Sequence, residues 1–325
     1  MLMISGVGPA NVLEQYGIPV VSDLQGVGQN MWDHFIFGAS YQVTTLTHSA
    51  LGNPSSLQQA IAQYRANGSG LLGNPGGDIL AWEKLPNRQR KSLSPSTQAS
   101  LAEFPPDWPE VEYLILDAYS GDNENYITGA PHTPYMYISP AAAIITPQSR
   151  GNVSISSADS EDPPLINPNW LSHPADRELA VAAFKRIREL MATEIVKSVT
   201  VGDEILPGPE VVTDADILDA IEKNGIEAFH ASATCKFEFR FFLPGVVDRC
   251  TDEVRPKQKG KMGQKHDPMA VVDSQARVFG TRGLRVVDIS AFPFLPPGHP
   301  QATVCKSLRH CKYCSVKAHC LTMIL

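Results

Sequence analysis

Four stretches between residues 35 and 157 are short, apolar and rich in β-branched and aromatic side chains: Phe35 to Thr45, VEYLILDAY (111–119), PYMYISPAAAII (134–145) and NVSISS (152–157). Runs of this length and composition, bounded by Gly, Pro and polar residues, read as strands. A strand leaves its N–H and C=O groups facing sideways, and those groups need partners. Together the four runs predict an antiparallel sheet. The helical periodicity lies elsewhere. SLQQAIAQYRANG (56–68) reads as a short helix ended by glycine. ADRELAVAAFKRIRELMAT (175–193) places Leu179, Ala182, Ala183, Ile187 and Leu190 on one face. TDADILDAIEKNG (213–225) opens on a capping Thr213 with an acidic first turn and stops at Gly225. The expected fold class is therefore α+β, an antiparallel sheet flanked by helices. Residues 84–110, polar and proline-bearing, read as a loop.

With 325 residues, 43% of them hydrophobic, the chain can bury a sizeable core in one or two domains. A formal net charge of −7 offers no basic field, so neither nucleic acid nor an anionic membrane surface is an expected partner. No apolar run reaches the ~18 residues of a membrane span, and MLMISGVGPA lacks the layout of a secretory signal. The native N-terminus is expected to lie upstream of Met1, so localisation stays open between cytoplasmic and secreted. Oligomeric state is not legible.

The first 234 residues contain no cysteine, a skew that argues against a disulfide framework. RHCKYCSVKAHC near the end joins histidines to a Cys-x-x-Cys, but its spacing fits no standard zinc pattern, and no metal site is expected.

Glycine punctuates the start. SGVGP (5–9) is a tight turn, after which Val12, Leu13 and Tyr16 recur at helical spacing. Gly17 can close that helix in a left-handed conformation, ahead of a strand from Ile18 to Val21. LQGVGQN (24–30) suggests a second turn leading to Asp33 and His34. Near the far end, AVVDSQARVFGTRGLRVVDIS (270–290) reads as two apolar strands about a glycine turn. AFPFLPPGHPQATV (291–304) follows as a stiff proline loop carrying a histidine.

Four ordered stretches resemble the glucose-methanol-choline (GMC) oxidoreductases. They are LMISGVGPANVLEQYGIPVVSDLQGVGQNMWDH (2–34), SRGNVSISSADSEDPPLINPNWL (149–171), FHASATCK (229–236) and VVDSQARVFGTRGLRVVDISAFPFLPPGHPQATV (271–304). QNMWDH (29–34), GGDILAWEKLP (76–86) and FPFLPPGHPQATV (292–304) look most like fungal members acting in secondary metabolism. The resemblance implies a substrate domain with an antiparallel sheet, an incomplete FAD-binding domain, and FAD as cofactor. It divides the chain into 1–37 as a partial FAD-binding segment, 38–228 as mainly substrate-binding, and 229–304 as catalytic and FAD-proximal.

The implied reaction is oxidation of the CH–OH group of a small alcohol. Hydride goes to flavin N5, so the protein must supply a base, and histidine suits that task. By resemblance His230 is the principal base and His299 orients the substrate oxygen. Asp288 and Ile289 approach the cofactor, and Gln301, Ala302 and Thr303 lie near its ring. His34 is expected to be structural, and His48, His132, His173 and His266 to be ordinary surface or satisfied core residues. Two other readings stand beside this one: a non-redox cyclase on the same fold, and a truncated, catalytically silent chain.

The departures from the family are specific. The family's N-terminal fingerprint, G-x-G-x-x-G after a strand with an acidic residue about 20 residues on, holds the FAD pyrophosphate and does not occur in that setting: GSGLLG (68–73) has the spacing but follows the helical run 56–68. Residues 237–261 separate T-C-K from M-G, which the family joins directly, and 305–325 replace the family's closing helix. Cys235-Lys236-Phe237 can be encoded TGT AAG TTY and Cys305-Lys306-Ser307 can be encoded TGT AAG TCN, so both junctions permit the donor splice signal GTAAGT. Lys259-Gly260 permits an acceptor that restores cysteine. The reading expects 237–261 to be a retained intron and 305–325 an aberrant tail.

Overall fold

The strand Met136–Ile144 organises the main sheet in a computed structural model that describes residues 1–77, 79–121, 135–236 and 267–310. On one edge it pairs antiparallel with Val111–Leu116, which in turn pairs with Ile79–Glu83. On the other edge it pairs first with Phe35–Gly38 and then with Ser40–Val43. The expected strand from 35 to 45 is thus two strands broken at Ala39, opposite Pro140, which has no N–H to give to the ladder. Thr200–Leu206 and Ile226–Glu227 extend the sheet beyond them, completing seven strands among the described residues. This sheet lies within a unit formed by residues 34–148 and 171–228.

The helix Pro174–Met191 packs against the central strand. It buries Leu179, Phe184, Ile187 and Met191, each contributing roughly 1.5–3 kcal/mol of apolar burial. Leu190, expected on that face, is 40% exposed. The helices Pro95–Leu101 and Asp214–Asn224 flank it, so the buried stripe also takes in Ala180 and Val181 and ends on Met191. The region 84–110 is not simply a loop, since it carries the helices Asn87–Arg90 and Pro95–Leu101. Ser94 caps the second through Thr97 N–H, Pro95 presets its first turn, and Glu178 holds the Ser94 hydroxyl at 2.7 Å. At Asp214–Asn224 the cap is a full box, Thr213 and Asp216 each accepting from the other's backbone.

A second unit gathers residues 1–33, 149–170 and those from 229 onward. Its core draws Met3, Val7, Leu13, Ile18 and Val27 from the first segment, Ile155 from the second, and Val271, Val272, Val278 and Val286 from the third. The helix Ala10–Gln15 ends as expected, with Gly17 at φ 68°. The strand expected at 18–21 falls instead at Ser22–Asp23, parallel to Val7–Gly8, because Pro19 interrupts any earlier ladder. Asn152–Ser154 pairs with Leu165–Asn167 in a separate hairpin and does not join the main sheet. The two strands expected in 270–290 are only bridges, Val272 to Val278 and Arg277 to Arg285. Asp273 captures the N–H groups of Gln275 and Arg277, and Ala276, Gly280 and Gly283 take positive φ, coiling the segment too tightly for a regular ladder.

The altered ending nonetheless forms a helix, Gln301–His310. Residues 237–261, most of the tail, His132 and His266 lie outside the described residues. Among those described, no helix is long and apolar enough to cross a membrane and no cluster of three metal-ligating side chains occurs.

Candidate active site

Residues 229–236 run as a strap through the second unit, and its backbone bonds account for where His230 sits. Ser232 and Trp32 exchange N–H···O bonds of 3.0 and 2.8 Å, and the Ser232 hydroxyl adds a third to Trp32 O. Thr234 O accepts from Gly28 N–H, Ala233 N–H donates to Ile289 O, and Cys235 N–H donates to Ser290 O at 2.7 Å. Stretches far apart in sequence therefore meet at this strap. Phe229 and Ala233 adopt φ of 57° and 64°, conformations that cost non-glycine residues energy and cluster at functional sites. Phe229 is 76% exposed beside a histidine that is only 8% exposed.

His230 is held by its own backbone, whose N–H donates to Asp33 Oδ1 at 3.1 Å. His299 follows Gly298, at φ 84°, in the proline loop anchored by the fully buried Leu295. The two imidazoles stand 5.0 Å apart between centroids at an interplanar angle of 80°. Burial pushes the His230 pKa down to about 4, and the nearby His299 adds to the effect. His230 is consequently neutral at pH 7.

Asp288 is exposed and caps the short 3-10 helix Ile289–Ala291, accepting from Ser290 N–H and the Ser290 hydroxyl. Gln301, Ala302 and Thr303 form the exposed first turn of Gln301–His310. His34 is wholly buried. His48 is also buried, its ring nitrogens bonded to the Asp117 carboxylate and to Leu71 O, and His173 caps a helix. Sequence reasoning passed over Asp33, although it precedes His34 in the motif, because only the three-dimensional structure sets its carboxylate under the His230 backbone. It also passed over Arg150, whose guanidinium lies 3.8 Å from the Trp32 ring centroid.

The profile of the GMC oxidoreductase C-terminal domain matches residues 147–249 and 260–306. This chain belongs to the GMC oxidoreductases. Patulin synthase of Aspergillus clavatus is 49% identical over 305 residues, covering 94% of this chain and 45% of that protein. Versicolorin B synthase of Aspergillus parasiticus is 43% identical over 311 residues, covering 94% and 42%. The relatives are fungal GMC oxidoreductases of secondary metabolism, and this GMC chain spans less than half their length. Formate oxidase has the same fold, with a TM-score of 0.79 over 95% of this chain and 50% of its own, at 22% identity. FAD is the cofactor of the family.

Proposed function

We propose that this chain is the substrate-binding and catalytic part of a GMC enzyme that oxidises the CH–OH group of a small alcohol, with His230 as the base. The observation that carries the reading is the buried, neutral His230 ring set 5.0 Å from His299. FAD, when bound, supplies the hydride acceptor. The residues present suit the ring end of that cofactor: Gln301, Ala302 and Thr303 open a ten-residue helix, whose N-terminus favours electron-rich partners. Asp288, engaged with Ser290, would shape the turn beside it.

His230 takes the hydroxyl proton on an imidazole nitrogen while hydride leaves the same carbinol, so alcohol becomes carbonyl, H⁺ and H⁻. A base of pKa about 4 is weak toward an alcohol at rest. Loss of hydride turns the hydroxyl into a protonated carbonyl, a strong acid, so transfer becomes favourable as that bond breaks. His299, more exposed, holds the substrate oxygen by hydrogen bonding, and Asp33 keeps the His230 backbone in place.

The test uses a full-length enzyme containing these residues. His230→Ala is expected to slow flavin reduction by on the order of 10²-fold or more, as loss of a general base does. Reduction at the parent rate would show that His230 is not the base.

A further inference from the structure

Two Asn-x-Ser triplets with a residue other than proline in the middle occur in the chain, Asn67-Gly68-Ser69 and Asn152-Val153-Ser154. Such a triplet is a potential N-glycan acceptor, and whether a folded protein can carry the sugar depends on surface access. The two sites differ sharply in that respect.

Asn67 is the last residue of the helix Pro54–Asn67, and Gly68, at φ 69°, turns the chain away from it. Asn67, Gly68, Ser69 and Gly70 are all exposed. A Cβ added at Gly68 would meet nothing within 4 Å, so the turn projects into open space. The Asn67 amide oxygen accepts both the Ser69 hydroxyl at 2.7 Å and the Ser69 N–H at 3.1 Å. These donors polarise the amide and leave Nδ2 on the side away from the turn. Asn152 instead sits half-buried in a hairpin, in register with Asn167, and the next residue, Val153, donates its N–H to Gly28 O at 2.7 Å.

We propose that Asn67 is an N-glycan acceptor and that Asn152 is not. The donor is an oligosaccharide carried on a lipid pyrophosphate. Nδ2 attacks the anomeric carbon, a C–N bond forms, the C–O bond to pyrophosphate breaks, and an Nδ2 proton passes to the transferase's base. The lipid pyrophosphate departs with the bonding pair, and nothing is oxidised or reduced. The site is independent of the oxidation chemistry proposed above.

The test expresses the full chain behind a cleavable secretion signal in a eukaryotic host, with an added acceptor triplet at the C-terminus to report entry into the secretory compartment. Enzymatic removal of N-glycans in heavy-oxygen water marks each modified asparagine for peptide mass spectrometry. The expected result is a mark at Asn67, lost in Asn67→Gln and in Ser69→Ala and retained in Ser69→Thr, with Asn152 unmarked. An unmarked Asn67 in molecules whose reporter is modified would overturn the site. So would a mark at Asn67 persisting in Ser69→Ala. Modification of Asn152 would overturn the argument from burial.

Discussion

His230 depends on its surroundings for its charge state. An unperturbed histidine titrates near pH 6.5, whereas this one is held to about 4, chiefly by burial and secondarily by His299. The base proposed above works only when unprotonated, so on that proposal the rate of flavin reduction should fall as pH drops through that value. His299→Asn removes the secondary cause, so the acid limb should move upward from about 4, part of the way toward the ordinary value. Rapid-mixing flavin reduction across pH measures this, and a limb that stays put or moves down contradicts it. The same shift has a stability sign. The unfolded chain protonates this histidine at higher pH than the folded one, so the stability from its neutral burial is present above about 6.5 and lost as pH falls toward 4. The identities of the two histidines were legible in their motifs. The depressed titration of His230 was not, because desolvation depends on what covers a side chain.

At the level of elements, the glycines of LQGVGQN join pieces of chain that are distant in sequence. Gly28 has φ 78°, and a Cβ there would lie 2.0 Å from Val153 O, while one on Gly26 would lie 2.0 Å from Met269 O. Positive φ was foreseeable from the G-x-G pattern, but the close approach of two other segments was not. Gly28→Ala is expected to cost on the order of 3 kcal/mol, combining backbone strain with a clash against a carbonyl. A thermal melt compared with that of Gly17→Ala separates the two causes, since Gly17 shares the positive φ but has nothing within 4 Å of its added Cβ. Equal losses at the two sites would remove the packing argument. Gly225 shows the converse. It ends its helix at an ordinary φ of −78°, and a Cβ would come within 2.1 Å of the Phe35 ring. The helix Asp214–Asn224, with its Thr213 cap and Gly225 stop, was read correctly, whereas the Ser94-capped helix Pro95–Leu101 was taken for loop and 270–290 was overread as strands because side-chain capture by Asp273 competes with pairing.

For the molecule as a whole, the resemblance seen in four ordered stretches agrees with relatives aligned over 94% of the chain. The family match skips 250–259, inside the segment proposed as a retained intron, and ends at Lys306, next to the second proposed junction. The glycine-rich turn and helix N-terminus that stabilise a pyrophosphate are not among these residues. Expressed by itself, the chain should therefore purify without flavin absorbance, and stoichiometric yellow colour in the isolated protein would refute this. By itself the sequence determined the family and the main helices, and it singled out the two histidines as candidates, because periodicity and motif order are properties of residues close together in the chain. Only the tertiary structure decided that Asn152–Ser154 leaves the main sheet, that Leu190 faces solvent, that Asp33 anchors His230, and that the two imidazoles meet. Each of these depends on strand pairing or burial by residues tens to hundreds of positions away, and such pairings are set by the packing of the whole fold.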